Sequence, residues 1–137
     1  GVISTPSGTA FEKRLLKISD ELDLLIKKYN PAAMAIEELF FSRNTTTAMG
    51  TAQARGVAVL TGAKAGIQVY EYTPLQVKMA VTGYGRADKN QIQQMVKVIL
   101  NLKDPAKPDD ASDGLAVAIC HAHTGADSSY LTKGGFH

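Results

Sequence analysis

Three carboxylates stand out by position. Glu37 closes the apolar run Met34-Ala35-Ile36 and is followed at once by Glu38, Leu39 and two aromatic rings, Phe40 and Phe41. Asp110 and Asp113 lie three residues apart in Asp109-Asp110-Ala111-Ser112-Asp113-Gly114-Leu115. On a helix that spacing puts both side chains on one face, within reach of a common ion. Any one of these acids alone has a plain reading, a wet strand end for Glu37 or a helix cap for an aspartate. Two on a helix face and a third at the end of a strand are hard oxygen ligands suited to Mg²⁺, and suggest a metal-dependent nuclease. Lys78, Arg86 and Lys89 gather around the loop Thr82-Gly83-Tyr84-Gly85. They form either a solvated basic face or a surface for phosphate contact.

These residues need elements to hold them. Asn30-Pro31 stops whatever precedes it, so residues 34–37 start fresh as an extended segment. In open α/β sheets ligands gather at the carboxyl ends of strands, which is where Glu37 falls. Upstream, Val2 to Thr5 reads as a short strand remnant and Pro6-Ser7-Gly8 as a turn. Thr9 and Glu12 have capping-box spacing. Phe11, Leu15, Ile18, Leu22, Leu25 and Tyr29 then form one apolar stripe on a helix. Lys13, Arg14 and Lys17 lie off that stripe and read as a solvated face.

Downstream, Asn44 or Thr45 caps a helix running toward Ala65 that is rich in Ala and Gly. Each Gly weakens a helix by about 1 kcal/mol relative to Ala, so close packing against a neighbour is expected to compensate. Gly66 ends that helix and Ile67 to Tyr72 follows as a strand, a βαβ unit with a parallel pair. Thr73-Pro74-Leu75-Gln76 opens a short helix, and Asp88 caps another whose Ile92, Met95, Val96 and Ile99 face inward. A linker, 101–109, leads to a last helix with Leu115, Ala118, Ile119 and Ala122 on its buried side. His121 and His123, two apart, point in different directions and read as surface or dimer-contact residues. Residues 125–137 lack periodicity and are expected to be a flexible tail.

The 137 residues, 45% of them hydrophobic, suffice for one domain with a real core. No apolar run approaches the roughly 18 residues of a membrane span, and no signal-peptide pattern heads the chain. A single cysteine, Cys120, excludes an internal disulfide and is compatible with a reducing cytoplasm. A net charge of +2 is too small to single out a nucleic-acid binder, so the electrostatic argument rests on where the basic residues fall.

Four segments, in this order and spacing, resemble the bacterial RuvC family of Holliday junction resolvases. They are Ala35-Ile36-Glu37-Glu38-Leu39-Phe40, Gly50-Thr51-Ala52-Gln53-Ala54-Arg55-Gly56-Val57-Ala58, Gln76-Val77-Lys78, and Asp110-Ala111-Ser112-Asp113-Gly114-Leu115-Ala116. The resemblance extends to about His123. It implies a ribonuclease H-like α/β fold, a mixed sheet flanked by helices, with a resolvase domain over residues 1–124. It implies a cytoplasmic homodimer that nicks four-way DNA junctions using two Mg²⁺ ions, with Mn²⁺ as a substitute, alongside the branch-migration proteins RuvA and RuvB. By position, Glu37, Asp110 and Asp113 correspond to catalytic, metal-binding carboxylates. Phe40 corresponds to an aromatic that stacks on an unpaired base, and Lys78 and Lys89 to basic positions near the scissile strand, with Arg86 as a further DNA contact.

One departure bears on activity. Members of the family open with a strand carrying Asp-Pro-Gly, whose Asp is a further catalytic carboxylate, and this sequence has no such segment. By the resemblance Gly1 to Thr5 corresponds to the third strand, the first two being absent. Three carboxylates around two cations hold them less firmly, which makes a non-catalytic junction-binding module the first alternative. A ribonuclease H-like relative acting on RNA–DNA hybrids is the second. The absent first strand would also leave the strand containing Ile36 with an open edge, expected to dimerise, swap or rearrange.

Overall fold

The apolar run forms a strand, β1 (Ala33–Glu37), with Glu37 as its last residue. In the computed structural model, which describes residues 1–38 and 45–125, six further elements accompany it. They are α1 (Phe11–Tyr29), α2 (Thr45–Lys64), β2 (Gln68–Tyr72), α3 (Pro74–Thr82), α4 (Lys89–Ile99) and α5 (Asp109–Thr124). β1 and β2 pair directly. The Glu38 amide donates to the Tyr72 carbonyl at 2.7 Å, so the two C-terminal ends meet and the strands run parallel, as a βαβ unit requires. Among the described residues the sheet has these two strands, and no helix is long and apolar enough to cross a membrane. Phe40, Phe41, Asn44 and the tail from residue 126 lie outside the described residues.

The described residues divide into two compact units. One gathers Gly1–Val2, Ala35–Glu38 and the residues from Tyr70 onward, the other Ile3–Met34 and the residues up to Val69. In the second unit α1 packs on α2. Its stripe is covered only at its middle: Leu15, Ile18 and Leu22 are half-buried, while Phe11, Leu25 and Tyr29 are exposed. The polar contact within this packing is satisfied, with buried Thr61 bonded to Ser19 at 3.1 Å and to the Val57 carbonyl at 2.8 Å. Asn30, at φ 45°, closes α1 by donating its amide to Ile26.

Several local expectations are corrected. Val2 to Thr5 is not a strand, because no neighbouring strand offers it a ladder among the described residues. The segment is held instead by side chains of α1: Arg14 Nε donates to Thr5 Oγ1 at 3.1 Å and Lys17 Nζ to the Ser4 carbonyl at 2.6 Å. Thr9 does not cap α1. Its hydroxyl turns back to the Pro6 carbonyl at 2.7 Å, and Ala10 takes the cap position without a side-chain bond. On α4 only Val96 is fully buried, while Met95 and Ile99 are exposed. On α5 the inward face is Ala111, Ser112, Ala116, Val117, Ile119 and Cys120, with Ala118 and Ala122 exposed. The apolar face is therefore rotated from the one expected, because small residues on every side of α5 leave the pattern ambiguous and the packing of α3 and α4 decides it.

The glycines of α2 separate into two kinds. A Cβ at Gly62 would sit 3.0 Å from Met34 Cε and 3.2 Å from Met34 Sδ, so this glycine does permit the close approach anticipated for the helix. At Gly50 and Gly56 a Cβ would meet nothing among the described residues, and none of them packs there to compensate. Gly56→Ala is therefore expected to stabilise the chain by up to about 1 kcal/mol. Gly62→Val is expected to destabilise it by about 1–3 kcal/mol by overpacking the helix against Met34. Thermal or denaturant unfolding of the two variants checks both, and equal effects at the two positions would contradict the distinction.

Candidate active site

The parallel pairing places Glu37 at the carboxyl end of the sheet, and the chain arriving at the same end through β2 turns at once into α3. That turn is fixed by a capping box: Gln76 N donates to Thr73 Oγ1 at 3.1 Å, and Thr73 N to Gln76 Oε1 at 2.8 Å. Pro74 at the first helical position adds a preset φ. Lys78 follows in the next turn and is half-buried. A second reciprocal box opens α4, where Gln91 N donates to Asp88 Oδ1 and Asp88 N to Gln91 Oε1, both at 2.8 Å. Lys89 is its first residue. Asp113 sits one turn into α5. Helices α3, α4 and α5 pack on one another through Val77, Val81, Val96, Ala116, Val117, Ile119 and Cys120, joined by Tyr72. That cluster sets where Lys78, Lys89 and Asp113 stand around the strand end.

The charges there are coupled: Asp113 and Lys78 both act on Glu37, and Lys89 pairs with Asp113. Burial, first, and then the neighbouring Asp113 push the Glu37 carboxyl above the usual glutamate range, while Lys78 draws it back. Asp113 Oδ2 in turn lies 3.5 Å from Lys89 Nζ. Both side chains of that pair are about half exposed, so it contributes at most about 1 kcal/mol to stability. Its interest is positional, since it turns a lysine toward the carboxylates.

The predicted site residues are not all gathered. Glu37 lies within electrostatic reach of Asp113 and Lys78, and Lys89 pairs with Asp113. Asp110 is exposed in the first turn of α5, and no group of three or more His, Cys, Asp or Glu among the described residues is arranged to hold a metal ion. Arg86 is exposed in the loop before α4 and Phe40 lies outside the described residues. Two features escaped the sequence. Ser112, between the two aspartates, is almost fully buried, and its hydroxyl finds no partner among the described residues. His121 is not a surface residue: it is half-buried, with Nδ1 2.5 Å from the Tyr72 hydroxyl and its ring stacked 4.6 Å from Tyr70. Period-two side chains on β2 meeting a helix histidine is a tertiary match that spacing on α5 does not reveal.

Because the folded protein holds the Glu37 proton more tightly than the unfolded chain does, ionising this group opposes folding. Stability from this source is full below the ordinary glutamate value of 4.5 and is lost as pH rises through the higher folded value. Glu37→Gln is thus expected to raise the melting temperature at neutral pH, with the gain vanishing by about pH 4. A gain that is the same at both pH values would contradict the assignment.

Comparison with known proteins gives this site a family. A sequence model described as Crossover junction endodeoxyribonuclease RuvC matches residues 1–121. A protein of that name from Alkaliphilus oremlandii is 61% identical over 125 residues, covering 91% of this chain and 76% of its own length. One from Rubrobacter xylanophilus is 56% identical over 122 residues, or 89% and 68% of the two chains. Among solved structures, that of Thermus thermophilus RuvC superposes with a TM-score of 0.86 at 33% identity, over 93% of this chain and 77% of that one. The same protein in complex with a Holliday junction substrate gives 0.84 at 34% identity, over 89% and 74%. On these matches in sequence and structure, the chain belongs to the RuvC family of crossover junction endodeoxyribonucleases, with their ribonuclease H-like fold.

Proposed function

We propose that this chain engages four-way DNA junctions at the carboxyl end of β1 and that Glu37 and Asp113 are the carboxylates of its phosphodiester-cleaving site, with Asp110 as a third. The observation that supports this reading is that Glu37, at the end of β1, lies within electrostatic reach of Asp113 and Lys78, with Lys89 paired to Asp113. Two like charges brought together at a strand end oppose folding, and a cation in the reaction offsets them. A pair of carboxylates fits Mg²⁺, which keeps several waters and takes one or two protein carboxylates plus substrate phosphate, where a closed protein cage would suit other ions. When bound, the ion supplies stabilisation of charge developing on the scissile phosphate. Lys78 and Lys89 hold the DNA strand by its phosphates, Arg86 extends that contact along the loop, and Phe40 stacks on an unpaired base. Residues 1–124 act as the resolvase domain of a cytoplasmic homodimer working with RuvA and RuvB.

A second reading, junction binding without cleavage, is favoured by one observation: no third acidic ligand joins the pair among the described residues. An end-labelled four-way junction and a matched duplex, incubated with the chain with and without Mg²⁺, separate the two. Under the first reading the junction alone is nicked, only with the ion, and Glu37→Gln or Asp113→Asn lowers the rate by about 10²-fold or more while binding persists. Selective binding without nicking supports the second. Equal treatment of junction and duplex contradicts both. Lys78→Met is expected to weaken junction binding across sequences and to reduce its salt slope by about one.

A further inference from the structure

The loop after α3 and the outer face of α4 line an open cavity of about 360 Å³, and none of Glu37, Lys78, Lys89 and Asp113 lines it. That volume lies at the small end of the range that holds small organic ligands. Its one aromatic wall is Tyr84, 54% exposed and stacked on no other ring among the described residues. The backbone that carries this ring is pinned: the Tyr84 amide donates to Thr82 Oγ1 at 3.0 Å, and the same hydroxyl lies 2.7 Å from the Lys78 carbonyl. Buried Ala87 and the Met95 thioether supply apolar surface. Asn90 and Gln94, one helical turn apart on α4, line the cavity with side-chain amides that make no hydrogen bond among the described residues. Gln91 is committed through its oxygen to the cap of α4, and its NH₂ makes no hydrogen bond among the described residues. The acid nearest in sequence, Asp88, is turned into that cap and accepts from Gln91 N at 2.8 Å. Lys89 adjoins Asn90 and reaches Asp113, while exposed Arg86 stands on the loop itself.

An aromatic face, apolar backing, and free amides offering both donors and acceptors are what a planar heterocycle with hydrogen-bonding edges requires. Cations one residue away on each side suit the phosphate attached to it. The geometry points to a pocket for a single nucleobase, distinct from the stacking position expected of Phe40, with Tyr84 as the platform and Asn90 and Gln94 reading the base edge. Side-chain amides pair bidentately with adenine, so adenine is the base the pocket favours. Seated on Lys89, the base belongs to a nucleotide beside the strand at Asp113. The inference rests on the proposed junction binding for the source of that base, and it gives the site a means of choosing where along a strand it acts.

Junctions carrying 2-aminopurine in place of adenine, one position at a time near the crossover, test this with the whole chain. Binding is followed by anisotropy of a distant dye and base capture by 2-aminopurine fluorescence. The expected result is a fluorescence change at one position that Tyr84→Ala abolishes and Tyr84→Phe keeps, with junction affinity falling about tenfold for Tyr84→Ala. Asn90→Ala and Gln94→Ala should relax the preference for adenine there. All three positions altered lie on exposed surface, so the variants should melt with the wild type. If the wild type binds the junction and Tyr84→Ala matches it in affinity and fluorescence, the pocket proposal is overturned. If the wild type binds no junction, the functional reading fails instead. Titration with dAMP, followed by the side-chain amide NMR signals of Asn90 and Gln94, then decides the pocket: saturable shifts lost in Tyr84→Ala support a free nucleotide as the source, and their absence overturns it.

Discussion

Two carboxylates that repel each other, held at the end of a parallel strand pair, are the constraint around which this chain is built. Burial first, and then the field of Asp113, raise the cost of ionising Glu37; Lys78 offsets part of that cost, while Lys89 pairs with Asp113. Neither lysine belongs to the strand. Each comes from the start of a different helix, and each helix start is fixed by a reciprocal capping box. Local backbone chemistry at Thr73 and Asp88 is thus converted into the position of a charge, which is a more reliable device than a long surface salt bridge.

The rigidity behind that arrangement comes from a small core. Val96 and Cys120 are almost fully buried, with Tyr72, Val77, Val81, Ala116 and Ile119 around them. Burial pushes the Cys120 thiol up, which suits a packing residue and not a nucleophile. Tyr72 links this core to the sheet end twice, through the Glu38 amide on its carbonyl and through its hydroxyl on His121. Loss of packing at Tyr72 would therefore disturb the strand register and the seat of α5 together. Ser112 is a discordant note: a buried hydroxyl without a partner among the described residues costs stability, and it lies next to Asp113.

Much of this was legible in the sequence because it is local. The stop at Asn30-Pro31, the box at Thr73 and Gln76, the cap at Asp88 and the glycine at the end of α2 are read from a few neighbouring residues, and the structure has each. The family resemblance rested on four short segments, and comparison across nine-tenths of the chain upholds it. What was not legible depends on tertiary partners. Val2 to Thr5 has strand-like residues but no strand beside it. Small residues around α5 hide which face is buried. His121 finds its partners on β2, 49 residues away. Asp110 and Asp113 share a helix face by spacing, yet of the two only Asp113 is felt by the Glu37 carboxyl, since what brings a helix near a strand end is the angle at which it packs.

The coupling of the two carboxylates is open to direct observation by following the Glu37 side-chain carboxyl by NMR through a pH titration, in the wild type and in Asp113→Asn. A Glu37 midpoint above the ordinary glutamate range, moved down by Asp113→Asn and further up by Lys78→Met, is the result expected. A midpoint at the ordinary value, indifferent to Asp113, would show that the two carboxylates do not form one site and would contradict the account.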